Sequence, residues 1–238
     1  MADLKNRTAV VTGATRGIGR AIAEALAARG VNVVIAARHE QDCRKVAEEI
    51  TRHGGGRVVG VAADVRRNED CERIIKAAAD NFGGLHVLVN NAGIGGFSPV
   101  DKMDVAHWDR VIATNLNSLF YCTHAALPYL KKQGGWVINI GSLAGKNAFP
   151  GGAAYNASKF GLIGFSEAVM QEVRHDDIRV SYIMPGSVAT DFEGSTNWAA
   201  DWMIQPQDIA QIVIDLLETP ARTLPSRVEV RPAKPPKK

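Results

Sequence analysis

The chain has 238 residues, 46% of them hydrophobic, 22% charged and 6% aromatic. That balance belongs to a globular protein large enough to bury a core without disulfide or metal staples, and it excludes a disordered chain, a collagen-like fibre and a small secreted scaffold. The formal charge of +3 is local: residues 227–238 carry five basic side chains against Glu229 alone, which leaves 23 basic and 24 acidic side chains in the rest of the chain.

Apolar, β-branched runs at 8–11, 31–36, 58–62, 87–89, 136–140, 180–183 and 228–230 predict seven strands. Amphipathic stretches between them predict helices over 17–29, 41–53, 69–81, 108–132, 153–175 and 206–217. Strands apolar on both faces, alternating with helices, read as a single α/β unit: a Rossmann-type, doubly wound parallel sheet whose ligands bind at the carboxyl ends of the strands. No linker or low-complexity segment breaks the alternation, so one dinucleotide-binding catalytic domain is expected over residues 1–226. The last strand and a basic tail with Pro232, Pro235 and Pro236 follow over 227–238, the tail extended or disordered.

The loop after the first strand reads TGATRGIG over residues 12–19 and opens the first helix. Gly13 permits a tight turn, Gly17 allows close backbone approach to a pyrophosphate and Gly19 lets the helix pack near the sheet, with Thr15, Arg16 and Ile18 completing the cofactor loop. The helix N-terminus offers free N–H groups and a partial positive charge to the same anion. At the end of the second strand, where a carboxylate would bind the ribose 2′-hydroxyl of NAD, the sequence has Arg38. An arginine there pairs with a 2′-phosphate, and Arg16 is near enough in sequence to join it, so NADP(H) is the expected cofactor unless both are solvated surface arginines.

Ser142 follows the fifth strand, and Tyr155 and Lys159 stand four apart at the start of a helical pattern. That spacing puts both side chains on one face with Cβ atoms about 5–6 Å apart. An ammonium beside a phenol favours phenolate. Lowering a phenol from about 10 to about 7 takes roughly 4 kcal/mol, within reach of Lys159 and an oxidised nicotinamide together. Tyr155 would then act as acid in reduction and base in oxidation, and the Ser142 hydroxyl would polarise a substrate carbonyl.

Taken in order, the glycine loop, Asp64, NNAG at 90–93, Asn115, Ser142, YNASK at 155–159 and Pro185 with Gly186 resemble the short-chain dehydrogenase/reductase family, in its non-extended, NADP-preferring branch, over residues 5–190. The resemblance implies an oxidoreductase that interconverts a carbonyl and a secondary alcohol by hydride transfer. It also implies that Asp64 and Val65 hold the adenine, that Asn91, Ala92 and Gly93 line the back of the cofactor, and that Pro185, Gly186, Val188 and Thr190 border the nicotinamide. By the same resemblance, Asn115 shapes its helix and holds a water beside Lys159; the lesser alternative for an asparagine in a long helical pattern is a local bend without a catalytic part. A homodimer or homotetramer through the long apolar helices is implied as well. The 3-oxoacyl carrier-protein reductases of that family end in a glycine-rich segment where this chain reads VEVRP at 228–232, which weighs against a carrier-protein substrate without excluding it.

Other signals fail. Ile140 stands where a GxSxG nucleophile elbow requires glycine before Ser142, the GFSEA run at 164–168 ends in Ala168, and GSLAGKN at 141–147 is one residue too short for a phosphate-binding P-loop. The six histidines show no paired ligand spacing, so no metal is expected. Cys43, Cys71 and Cys122 are too scattered for a disulfide framework, no apolar run approaches the ~20 residues of a membrane span, and residues 1–7 lack a signal-peptide core. A cytoplasmic enzyme with a small-molecule substrate and no nucleic-acid or membrane partner is the expectation.

The short insert after Thr190 carries Phe192, Trp198, Trp202 and Met203. Trp198 and Trp202 would form one aromatic face, either closing over a compact apolar carbonyl substrate or packing on the body or another subunit. The alternatives to a carbonyl reductase are a 3-oxoacyl carrier-protein reductase and a non-catalytic NADP-binding sensor. Nucleic-acid binding through the tail would require salt-sensitive affinity.

Overall fold

The β-branched runs become strands, and they are apolar on both faces because helices cover both faces. The computed structural model describes residues 4–192 and 201–236. The strands are β1 (Thr8–Thr12), β2 (Asn32–Ala37), β3 (Val58–Ala62), β4 (Val87–Asn90), β5 (Gly135–Ile140), β6 (Ile178–Pro185) and β7 (Arg227–Val230). They form one parallel sheet in the order β3-β2-β1-β4-β5-β6-β7. The helices are α1 (Gly17–Ala28), α2 (Glu40–His53), α3 (Asn68–Phe82), α4 (Val105–Ile112), α5 (Ser118–Leu130), α6 (Ala153–Val173) and α7 (Pro206–Leu217).

Alternation along the strands sorts the core into two layers. Ala9, Val11, Val33 and Ile35 pack with Ile22 and Leu26 of α1, Val46 and Ile50 of α2, and Ile209 and Val213 of α7. Val10, Val34 and Ala36 face Ile74 and Ile75 of α3, Cys122 and Ala126 of α5, and Val169 and Val173 of α6. Chain order reverses between β1 and β4, which lie side by side, so the loops leaving their carboxyl ends diverge and open a crevice.

The helix expected over 108–132 is not continuous. α4 begins earlier, at Val105, with Asp104 accepting from the Ala106 N–H at 3.3 Å as its N-cap. A π turn, Ala113–Asn117, then separates it from α5. The Thr114 and Ser118 hydroxyls donate to the Arg110 and Thr114 carbonyls at 2.7 Å each, and the wider turn aims the buried Asn115 side chain away from the helix. α7 starts where its local sequence says it should: Pro206 occupies its first turn, and Gln205 and Asp208 form a reciprocal capping box.

β7 joins the sheet edge, and its Glu229 gathers Lys146 at 2.9 Å, Arg231 at 3.3 Å and Arg227 at 3.9 Å. Part of the C-terminal positive charge is therefore matched within the fold. All three cysteines are buried free thiols. Among the described residues no helix is long and apolar enough to cross a membrane, and no group of three or more His, Cys, Asp or Glu side chains is placed to hold a metal. Trp198 lies outside the described residues; Trp202 is partly buried.

Candidate active site

A cleft of about 1040 Å³ runs along the carboxyl edge of the sheet, from Arg38 at one end to Ser142, Tyr155 and Lys159 at the other. Every site residue expected from the sequence lines it except Gly19 and Asn115. Both exceptions lie behind the wall, against residues that line it.

Gly13 and Gly17 hold φ of +64° and +54°, the left-handed region that glycine tolerates. A Cβ on Gly13 would lie 2.9 Å from Ala92 Cα, and one on Gly19 would lie 2.4 Å from both the Gly13 carbonyl and Asn91 Nδ2. The glycines thus let two loops meet. Asn91 donates from Nδ2 to the Thr12 and Gly13 carbonyls at 2.9 and 3.1 Å, and Thr12 Oγ1 accepts from the Asn91 and Ala92 N–H groups at 3.0 Å. Thr12 had no sequence signal beyond its place at the end of β1. The first turn of α1 carries no acidic side chain and no side-chain cap, so its amides remain available to an anion.

At the end of the cleft beside β2, Arg38 lines it with Asp64 and Val65. Arg66, hydrogen-bonded to Asp64 at 2.9 Å, holds that carboxyl below its ordinary range, and Arg38 adds to the effect. Arg16 crosses the cleft mouth to pair with Asp191. Asp191, Arg66 and Arg110 are cleft residues that sequence reasoning passed over, since isolated surface charges carry no spacing signal.

At the other end, Lys159 is 5% exposed and donates from Nζ to the Ile140 carbonyl at 3.0 Å. Burial lowers its ammonium to about 8. The same Nζ lies 5.7 Å from the centre of the Tyr155 ring. Ser142 caps a short 3-10 turn, Leu143–Gly145, accepting from the Ala144 N–H at 3.1 Å. Asn115 joins the π turn to the loop after β4 and to α6, through Ile94 and through Ser158 Oγ at 3.1 Å. A Cβ on Gly93 would lie 3.4 Å from Asn115 Oδ1 and 3.9 Å from Lys159 Nζ, so the loop after β4 rests close over both.

A dinucleotide fits these features: a glycine-lined turn, open helix amides, a long cleft, and a cation at the end of β2 where the strand offers no carboxylate. The fold and site define a nicotinamide-nucleotide-binding oxidoreductase. The family model for short chain dehydrogenase matches residues 7–200, and the chain belongs to that family. It is 38% identical over 196 residues to a 3-oxoacyl-[acyl-carrier-protein] reductase of Vibrio cholerae, covering 82% of this chain and 79% of that one. An alcohol dehydrogenase from the archaeon Thermococcus sibiricus, complexed with 5-hydroxy-NADP, superposes with a TM-score of 0.91 at 30% identity, covering 98% of this chain and 99% of the other. A metagenomic short-chain oxidoreductase in complex with NADP superposes at 0.86 with 38% identity, covering 98% and 100%.

Proposed function

We propose that the chain binds NADP(H) along this cleft and interconverts a carbonyl and a secondary alcohol, with Tyr155, Ser142, Lys159 and Asn115 as the group that serves the reaction. The observation that carries this reading is the buried Lys159 ammonium 5.7 Å from the Tyr155 ring, at the end of the same cleft that begins at Arg38. When bound, the cofactor supplies or accepts the hydride.

The chain's own residues do the rest. Gly13, Thr15, Gly17, Ile18 and the α1 amides hold the pyrophosphate, Arg38 with Arg16 takes the 2′-phosphate, and Asp64 with Val65 borders the adenine. Residues 91–93 and Pro185, Gly186, Val188 and Thr190 enclose the remainder. Ser142 donates a hydrogen bond to the substrate oxygen, Tyr155 delivers or removes the proton on that oxygen, and the Lys159 ammonium stabilises the phenolate. Asn115 positions the loop and helix between which Lys159 sits. The NADP forms held by two superposing structures support the cofactor choice. Phe120 on α5 and Phe160 on α6, 52% and 47% exposed, leave apolar surface on these two helices, which supports a homodimer.

The test follows coenzyme absorbance with NADPH and NADH against ketones, aldehydes and 3-oxoacyl thioesters, with Tyr155→Phe as control. Turnover abolished by Tyr155→Phe supports the proposal. Turnover indifferent to that change, or none on any substrate, refutes it.

A further inference from the structure

Three phenylalanines from three separate loops form a chain of ring contacts through Tyr155. Phe97 follows β4, Phe149 follows β5 and Phe192 follows β6. Phe97 meets the Tyr155 ring edge-on at 5.5 Å between centroids, Phe192 meets it at 5.9 Å, and Phe97 meets Phe149 edge-on at 5.6 Å. All three line the cleft, yet they remain 51%, 41% and 38% exposed, in chain order. Apolar surface left facing an open cleft is surface a ligand gains by covering.

The wall is built. Ser98 N–H donates to the Gly151 carbonyl at 2.8 Å, tying the Phe97 loop to the Phe149 loop. Asn156, next to Tyr155 on α6, accepts from the Phe149 N–H at 3.3 Å and donates to the Ala144 carbonyl at 2.7 Å. Gly152 leaves room for the ring: a Cβ there would lie 2.6 Å from Phe149 Cε2.

The wall itself carries no cation. Among the described residues, Lys146 of the Phe149 loop pairs with Glu229, Arg66 pairs with Asp64, Arg110 donates to His107 Nδ1 at 2.7 Å, and Arg16 is assigned to the cofactor by the reading above. Lys159 sits behind Tyr155 on the Ile140 carbonyl. We infer that the carbonyl substrate carries an aryl group beside the reacting carbon and no carboxylate or phosphate, the aryl group stacking against Phe97, Phe149 and Phe192. This rests on the carbonyl reductase reading above and specifies its substrate class.

The experiment compares kcat/KM for acetophenone, butanone, acetoacetate and an acetoacetyl thioester in the unaltered chain, Phe97→Ala and Phe149→Ala. Acetophenone is expected to exceed acetoacetate by about 100-fold. Each alanine variant should lower the acetophenone-to-butanone ratio about fivefold, the loss of one aromatic contact. Acetoacetate or the thioester matching acetophenone overturns the inference, as does an equal fall for both ketones in the variants. Calorimetric titration of acetophenone and acetoacetate into Tyr155→Phe, with and without NADP+, reads the wall apart from turnover. Preferential acetophenone binding there, with no turnover by the unaltered chain, sinks the reductase reading and keeps the aryl site. No acetophenone binding there removes the aryl site whatever the turnover.

Discussion

Asn115 and Ile94 are joined by two hydrogen bonds of 2.8 Å, the asparagine amide accepting from the Ile94 N–H and donating to the Ile94 carbonyl. A single side chain thereby satisfies a backbone donor and acceptor in the loop that crosses the floor of the cleft. Asn115→Leu leaves both backbone groups without that partner, and an unmade buried hydrogen bond costs about 1–3 kcal/mol per group. We expect a loss of about 2–4 kcal/mol in urea unfolding, together with a fall in turnover. A variant as stable as the parent would show that the two bonds are replaceable by water.

Lys159 carries a pH signature. Burial holds its native value at about 8, below the ordinary 10.5. Between these values the unfolded chain holds a proton that the native chain has released, so this group's contribution to stability rises with pH across that window and is least favourable below it. Lys159→Met should therefore stabilise the cofactor-free protein by about 2 kcal/mol at pH 7 while abolishing turnover. The gap should close as pH approaches 10. A difference that stays constant with pH would mean that burial is not what costs the lysine.

Arg38→Asp places a carboxylate where the proposed 2′-phosphate sits. Fluorescence titration should show NADPH weakened by about 100-fold and NADH little changed. Equal weakening of the two coenzymes would move the phosphate elsewhere.

The exposed Arg16–Asp191 pair must open for Arg16 to reach a phosphate. Exposed ion pairs hold about 0.2–1 kcal/mol, so Asp191→Asn should tighten NADPH about threefold at low salt, with the gain shrinking as salt is added. Unchanged affinity at low salt would count against Arg16 as a phosphate ligand.

Much of this was legible because strand burial and loop chemistry are local. The β-branched runs marked all seven strands to within a residue or two at most ends, and the order of the motifs placed Gly13, Asn91, Ser142 and Tyr155 at one edge of the sheet. The break at Ala113–Asn117 was not legible as such, because the apolar periodicity passes through it and the contact that the wider turn serves, from Asn115 to Ile94, spans twenty-one residues in sequence. The aromatic wall is hidden from the sequence for the same reason. Phe192 stands in an insert with other aromatics, whereas Phe97 and Phe149 are single aromatics in glycine-rich loops. Each falls seven to nine residues beyond its strand, a shared offset that has meaning only once β4, β5 and β6 are neighbours.

The junction of β7 with the cleft bears on how the protein should be handled. The Gly186 N–H donates to the Val230 carbonyl at 2.8 Å, and Pro232 Cδ approaches within 3.1 Å of where a Gly186 side chain would begin. Leu4, by contrast, is buried at the amino ends of the strands, just ahead of β1, where Asn6 N–H meets the Gly30 carbonyl at 2.9 Å. A purification handle or fluorescent fusion therefore belongs ahead of residue 1. Attached after residue 238, it would hang from the strand that braces the Gly186 turn, and coenzyme titrations on such a fusion would report the handle as well as the protein.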